Sequence, residues 1–176
     1  MNLQSGRSHN SRLSFEQFYE KYYERVFNFV YMRLLHREDA EDVTEDTFMK
    51  AMAAYDRNDT SKASDITWLC TIARNCMTDH IRKSRKGRII PFDASFDIGE
   101  EDRELESLTE DVERRVYNIF RQLSPEEREL LSMRFKMDMG YQEIGETLGI
   151  EPGTAAKRVE RLLKKCREIE TGGNLK

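Results

Sequence analysis

Apolar residues recur along this chain at the three-and-four spacing of helices, broken by short polar stretches. Phe15, Phe18, Tyr19, Tyr22, Val26, Phe29 and Val30 fall on one face of a first helix that Ser14 opens. Gln17 stands three residues on, completing a capping box, and Leu13 with Phe18 can form a hydrophobic staple. A second helix is expected from near Glu38. Ala40, Val43, Thr47, Phe48, Ala51, Met52 and Tyr55 would face inward, with Glu38, Asp39, Glu41, Asp42, Glu45 and Asp46 opposite. The stretch AYDRNDTSKASD is polar and turn-rich and reads as a loop. A third helix follows, burying Ile66, Leu69, Ile72, Ala73, Cys76, Met77 and Ile81 and turning Thr67, Thr71, Arg74, Asn75, Thr78 and Arg82 outward.

From Gly87 to about Asp102 the apolar period lapses, and Pro91, Gly99 and clustered acids suggest an extended, flexible linker. Helical spacing returns at Leu105, Leu108, Val112, Val116, Ile119, Phe120 and Leu123. Ser124-Pro125-Glu126-Glu127 is a helix start, with serine as cap, proline in the first turn and glutamate closing the box. The helix it opens carries Leu130, Leu131, Met133 and Phe135. A last hairpin, YQEIGETLGIEPGTAAKRVERLLKKC, turns at Gly149, where glycine tolerates the left-handed cap. Gly145 leaves room for a neighbouring helix, while Ile144, Leu148, Ile150, Ala155, Val159 and Leu162 face inward.

No strand pattern and no repeat of fixed period appears. The expected fold is all-α: two small helical bundles joined by a flexible acidic linker, the second bundle containing a helix-turn-helix. The bundles are expected at 13–86 and 105–170, with the linker at 87–104. A composition of 38% hydrophobic and 35% charged residues with three prolines suits helices around thin cores. Cys70, Cys76 and Cys166 form no Cys-x-x-Cys pair, so reduced thiols are expected, the first two as small apolar fillers. His36 and His80 are isolated, which offers no zinc spacing. No metal site, cofactor motif or nucleophile–base set emerges, which places an enzyme last among the readings. The N-terminal MNLQSGRSHNSR lacks a secretion signal's apolar run, and no stretch nears the roughly 18 apolar residues of a span. A cytoplasmic protein without stable membrane insertion is expected.

The formal net charge of −4 conceals a strong segregation. HIRKSRKGRII, residues 80–90, holds Arg82, Lys83, Arg85, Lys86 and Arg88 and no acid, while residues 91–113 hold Arg103 as their only base. Residues 157–167 turn cationic again, with Glu160 the only acid. Local patches decide where a polyanion docks. The outward face of the last helix presents Thr154, Lys157, Arg158, Arg161 and Lys165. Charge alone fits a solvated face equally well. The short preceding helix, the glycine turn and the Glu151-Pro152-Gly153-Thr154 start favour DNA docking, because that start leaves backbone N–H groups open to a phosphate. In the first bundle, the polar face of the third helix, with Trp68 before it and the basic run after it, suits strand-separated DNA. Trp68 alone fits a core role better. The acidic face of the second helix lacks the matching ligands of a carboxylate metal site and reads as a solvated face or a protein docking surface.

REDAEDVTEDTFMKAMAAY, ITWLCTIARNCMTDHIRKSRK and LSPEERELLSMRFKMDMGYQEIGETLGIEPGTAAKRVERLLKK resemble, in order, the blocks of bacterial RNA polymerase sigma factors of the compact extracytoplasmic-function type. The resemblance covers about Phe15 to Arg167. It implies core RNA polymerase and promoter DNA as partners, and an anti-sigma factor of unidentified kind. It assigns Asp42, Glu45, Asp46 and Phe48 to core-polymerase binding. Trp68, Arg74, Asn75, Arg82 and Lys83 fall in the −10 element helix, and residues 56–65 in the loop that captures a flipped base. Arg134, Tyr141, Thr154, Lys157, Arg158 and Arg161 fall in the −35 element domain. Ala155 and Ala156 depart from the family's usual branched apolar residue and lysine, and the capture loop has no aromatic of its own. The competing reading is a stand-alone helix-turn-helix regulator binding a palindrome as a dimer.

The acidic segment invites a second, regulatory expectation: in the free protein, residues 93–113 shield the two basic faces from DNA. Converting Glu100, Glu101, Asp102 and Glu104 to amides should then raise the free chain's DNA affinity in fluorescence anisotropy at low salt. An unchanged affinity removes the shielding role.

Overall fold

The computed structural model describes residues 12–58, 63–87 and 111–172. Seven α-helices run through these residues: α1 (Phe15–Leu34), α2 (Arg37–Ala54), α3 (Asp65–Gly87), α4 (Asp111–Arg121), α5 (Pro125–Phe135), α6 (Tyr141–Leu148) and α7 (Pro152–Glu170). A 3-10 turn, Tyr55–Arg57, ends α2. Residues 88–104 of the expected linker, the apolar positions Leu105 and Leu108, the four acids named above and loop residues 59–62 lie outside the described residues.

The helix starts follow local chemistry. Ser14 accepts from the Gln17 N–H, and the Gln17 side chain accepts from the Ser14 N–H. Ser124 and Glu127 make the same reciprocal pair at α5, with Pro125 in the first turn. Each box satisfies donors that a helix start would otherwise leave open. Between α1 and α2 the chain reverses within two residues. Leu35 takes the left-handed conformation there at φ 53°, and its burial holds it in place. His36 then caps α2 through the Asp39 N–H.

Helix α1 packs against α2 and α3 on one side and α5 on the other, and α6 packs on α7. One continuous hydrophobic cluster runs from Phe18, Val26 and Phe29 of α1 through Leu69 and Ala73 of α3 to Met133, Ile144 and Val159. Cys70 and Cys76 sit in it as apolar fillers, and burial pushes the Cys70 thiol pKa up. Thr44 and Thr47 are also fully buried, each donating its hydroxyl back to the carbonyl four residues earlier. That bond lets a threonine occupy an apolar stripe.

Several positions differ from their expected side. Met52 is 59% exposed, because Ala40, Thr44, Thr47 and Ala51 form the inward stripe of α2 and Met52 lies beyond its edge. Phe135 is 57% exposed, since α5 ends at that residue and Met137 and Met139 of the following loop fill the core instead. Tyr19 is exposed beside Tyr23, and Thr67, expected outward, is buried under α6.

The turn between α6 and α7 depends on two glycines. Gly149 caps α6 at φ 65°, a conformation that strains any side chain. At Gly145 a Cβ would stand 2.6 Å from the Ile150 carbonyl oxygen, so the following loop can close only on a residue without one. Gly145→Ala is therefore expected to destabilise the protein by about 1–3 kcal/mol in urea unfolding. Gly153→Ala, which meets nothing within 4 Å, should be neutral or slightly stabilising.

Candidate nucleic-acid interface

Helix α7 is amphipathic because its inward residues, Ala155, Val159 and Leu162, are buried against α4, α5 and α6. That fixes the opposite face in solvent. Thr154, Lys157, Arg158, Arg161 and Lys164 are all exposed there. Among the described residues, Lys157, Arg158 and Arg161 engage no ion pair. The helix begins on Pro152, which has no N–H, with no side-chain cap at Glu151 and no acid in its first turn. Thr154 N–H donates to the Glu151 carbonyl at 2.8 Å, so of the donors expected to stay open at this start Gly153 N–H is the one left. Lys165 differs from expectation. Its Nζ turns inward to Glu127, 2.7 Å from Oε2 and 2.9 Å from Oε1, and leaves the free cationic face. A carboxylate at the start of α5 recruits it.

Arg134 and Tyr141 stand at the loop between α5 and α6. The Arg134 guanidinium donates to the Met139 carbonyl at 3.3 Å and lies 5.5 Å from the Tyr141 ring and 5.8 Å from the Phe135 ring. Asp138 Oδ1 is 3.8 Å away. Arg134 therefore shapes the loop while its charge remains partly accessible, and Tyr141 is exposed at the first residue of α6.

Helix α3 places its candidates unevenly. Asn75 and Lys83 are exposed, and Arg82 pairs with Asp79 at 3.0 Å one turn away. Trp68 is half-buried, its ring 6.1 Å from Phe18 and 6.5 Å from Tyr55, so it closes the core while keeping one edge outward. Arg74 is already occupied. Its Nε bonds Glu129 Oε1 at 2.5 Å and its Nη1 donates to the Thr147 carbonyl at 2.7 Å. Thr67 and Ser64 donate to Glu143 of α6. Burial alone would raise the Glu143 pKa, but the Ser64, Gly140 N–H and Thr67 hydrogen bonds outweigh it and lower it, so the carboxylate is ionised at neutral pH.

On α2, Asp42, Glu45 and Asp46 are exposed and adjacent, whereas Phe48 is only 4% exposed, covered by the Tyr19 ring at 4.8 Å and the Tyr23 ring at 6.0 Å. Beside the acids lie features that periodicity missed. Met49 and Met52 are exposed one turn further on, and Tyr23, Phe27 and Tyr31 stack along α1 at four-residue intervals. Burial, the Tyr19 hydroxyl and the carboxylates Glu41 and Glu45 raise the Tyr23 pKa, which ties this aromatic row to the acidic patch. Four-residue spacing of aromatics is visible in the sequence. That Tyr23 and Phe27 stay partly exposed while Tyr31 is buried is not.

Residues 18–87 match Sigma-70 region 2, and residues 113–166 match Sigma-70, region 4. The ECF RNA polymerase sigma factor BldN of Streptomyces coelicolor is 28% identical over 145 residues, which cover 80% of this chain and 54% of BldN. The RNA polymerase sigma factor CarQ of Myxococcus xanthus is 28% identical over 164 residues, covering 89% of this chain and 88% of CarQ. For the ECF sigma factor SigM of Bacillus subtilis the identity is 23%, over 92% of this chain and 98% of SigM. The chain thus spans about half the length of BldN and most of the other two. In fold it is similar to the sigma factor RpoE of Bartonella quintana, solved with the anti-sigma factor NepR, at a TM-score of 0.67 and 22% identity over 88% of this chain and 94% of that one. CnrH, solved with the cytosolic domain of CnrY, gives a TM-score of 0.66 at 21% identity over 91% and 89%. With both regions matched in order and sigma factors as relatives across most of its length, the chain belongs to the RNA polymerase sigma factors of the extracytoplasmic-function type.

The difference between Lys165 and its neighbours is measurable. Arg158→Ala and Arg161→Ala should each weaken duplex DNA binding and reduce the slope of log affinity against log salt by about 0.9 if each neutralises one phosphate. Lys165→Met should leave that slope unchanged and lower stability by about 1 kcal/mol or less, as befits a partly exposed pair.

Proposed function

We propose that this chain binds core RNA polymerase, recognises the −10 and −35 promoter elements and promotes duplex opening at the start of transcription. In this reading residues 13–86 form the core-binding and −10 domain, 87–104 the linker and 105–170 the −35 domain. The observation that carries it is the exposed face of Thr154, Lys157, Arg158 and Arg161 in the first turns of α7, whose three cations engage no ion pair among the described residues. Lysine and arginine there supply salt-dependent affinity, and the N-terminal side chains reach base edges. Asn75, Arg82 and Lys83, with the outward edge of Trp68, meet the −10 element, and Arg74 joins them once released from Glu129. Asp42, Glu45 and Asp46 dock on the polymerase, with Tyr19, Met49 and Met52 supplying apolar area at the patch edge. Phe48 supports that patch from beneath.

Ala155 is fully buried, so the departure from the family's branched residue is a matter of packing rather than base reading. One relative in fold, the sigma factor RpoE, was solved with the anti-sigma factor NepR, which supports a restraining partner of that kind here. We place its action in the cytoplasm, where core polymerase and promoter DNA are; no helix among the described residues is long and apolar enough to cross a membrane. The stand-alone dimeric regulator is not favoured: it leaves the first half a dimerisation or sensor module, whereas residues 18–87 match Sigma-70 region 2.

The deciding experiment is run-off transcription from genomic fragments with bacterial core polymerase, with and without this protein. Discrete starts that require both components, with shared sequences upstream, are expected. Protection of duplex DNA by the protein alone, with no new starts, would reject the reading.

A further inference from the structure

Phe135 ends α5 with 57% of its surface in solvent, and Tyr141 opens α6 with 38% exposed. Single exposed rings are ordinary on a protein surface. These two are set apart by what they share. The Arg134 guanidinium lies over both, 5.8 Å from the centre of the Phe135 ring and 5.5 Å from that of Tyr141. A cation within about 6 Å of a ring centroid is attracted by the negative face of the ring. The end of α5 and the start of α6 therefore meet on one charge.

The loop between the two helices fixes that meeting. Met137 and Met139 are fully buried, so residues 136–140 are pinned inward at alternate positions while Lys136, Asp138 and Gly140 stay outward. Met137 N–H donates to the Ser132 carbonyl at 2.9 Å and Met139 N–H to the Met133 carbonyl at 3.0 Å. With both methionines anchored on α5, the loop brings Tyr141 back to the end of that helix. Arg134 spends little of its bonding capacity here. Nη1 donates to the Met139 carbonyl at 3.3 Å, and Asp138 Oδ1 stands 3.8 Å away on a side chain 85% exposed. An ion pair so open to water is weak and exchanges readily. A guanidinium carries five N–H donors in one plane, and the Arg134 side chain is 34% exposed, so the remaining donors can take a ligand.

We propose that Phe135 is a positioning residue for duplex DNA. Its ring, with that of Tyr141, holds the Arg134 guanidinium in one orientation, from which the remaining donors take a backbone phosphate in place of the Asp138 carboxylate. The role rests on the −35 reading of the second half. It accounts for an aromatic residue standing exposed at the end of α5 while two methionines fill the core behind it. Phe135 adds no charge and reads no base. Its contribution is the side-chain freedom that Arg134 no longer loses on binding.

The test is fluorescence anisotropy of the full chain with a fluorescein-labelled mixed-sequence DNA duplex over a salt series. Phosphate contacts carry no sequence information, so an unselected duplex reads them. Phe135→Leu keeps an apolar side chain and removes the ring. It should weaken binding about threefold and leave the slope of log affinity against log salt unchanged, because no charge is lost. Phe135→Tyr should bind as wild type does. Arg134→Ala should weaken binding further and lower the slope by about 0.9, and adding Phe135→Leu to it should change nothing more. Phe135→Met, equally without a ring, repeats the measurement if circular dichroism shows Phe135→Leu unfolded. A ring that only stabilises the fold would shift the urea midpoint and weaken both backgrounds alike, which overturns the role. Phe135→Leu binding as tightly as wild type overturns it too. If Arg158→Ala lowers the slope and Arg134→Ala does not, Arg134 is off the DNA and the positioning role fails alone. If neither alters duplex binding, the −35 reading falls and takes the role with it.

Discussion

Phe18, Val26, Phe29 and Val30 are fully buried along α1, and that helix is packed by α2 and α3 on one flank and α5 on another. A helix with a broad apolar face must cover it, and here the two halves of the chain cover it together. The constraint extends to polar chemistry. Arg33, near the C-terminal end of α1, stands where the helix leaves the first bundle for the second and is drawn onto Glu126 and Glu129. The register of α1 therefore sets both the apolar cluster and the pairing of charges at its end. A change that rotates this helix would shift both its packing on α3 and the pairing of Arg33 with Glu126 and Glu129.

Much of this architecture was legible in the sequence because it rests on local rules. The boxes at Ser14 and Ser124, the cap at Gly149 and the close approach at Gly145 each follow from residue types a few positions apart. Most of the inward face of α3 and that of α7 followed from period, with Leu69, Ala73, Cys76, Met77, Ala155, Val159 and Leu162 all buried. What escaped depends on a second element. Thr67 has the composition of a wet position and is buried because α6 lies over it, and Lys165 leaves the DNA-facing set because Glu127 stands within reach. Met52 and Phe135 are apolar residues at helix margins, where the direction of the next segment decides exposure. Arg74 was readable as a surface cation. Its two partners, 55 and 73 positions away, were not.

The same asymmetry bears on how charge is used. The net charge is −4, yet the chain keeps arginines in two distinct states. Arg33 and Arg74 are neutralised by carboxylates across the junction, while Arg158 and Arg161 face solvent unpaired. Paired arginines contribute specificity of docking and little long-range field. Unpaired ones set the field that a polyanion encounters first. The exposed cations of α7, with Lys83 at the end of α3, therefore supply outward positive field, to which the paired Arg74 adds little.

That division follows from geometry. The inward face of α7 is committed to α4, α5 and α6, all in the second half, so closing the halves together does not cover its cationic side. The outward face of α3 adjoins α6 and is partly covered by it. The packing of the halves thus covers part of the polar face of α3 and leaves the cationic face of α7 in solvent. Because the attraction between Glu129 and Arg74 is local and partly buried, salt screens it less than it screens the exposed cations of α7. Raising ionic strength should accordingly weaken the outward field of α7 while the halves remain joined.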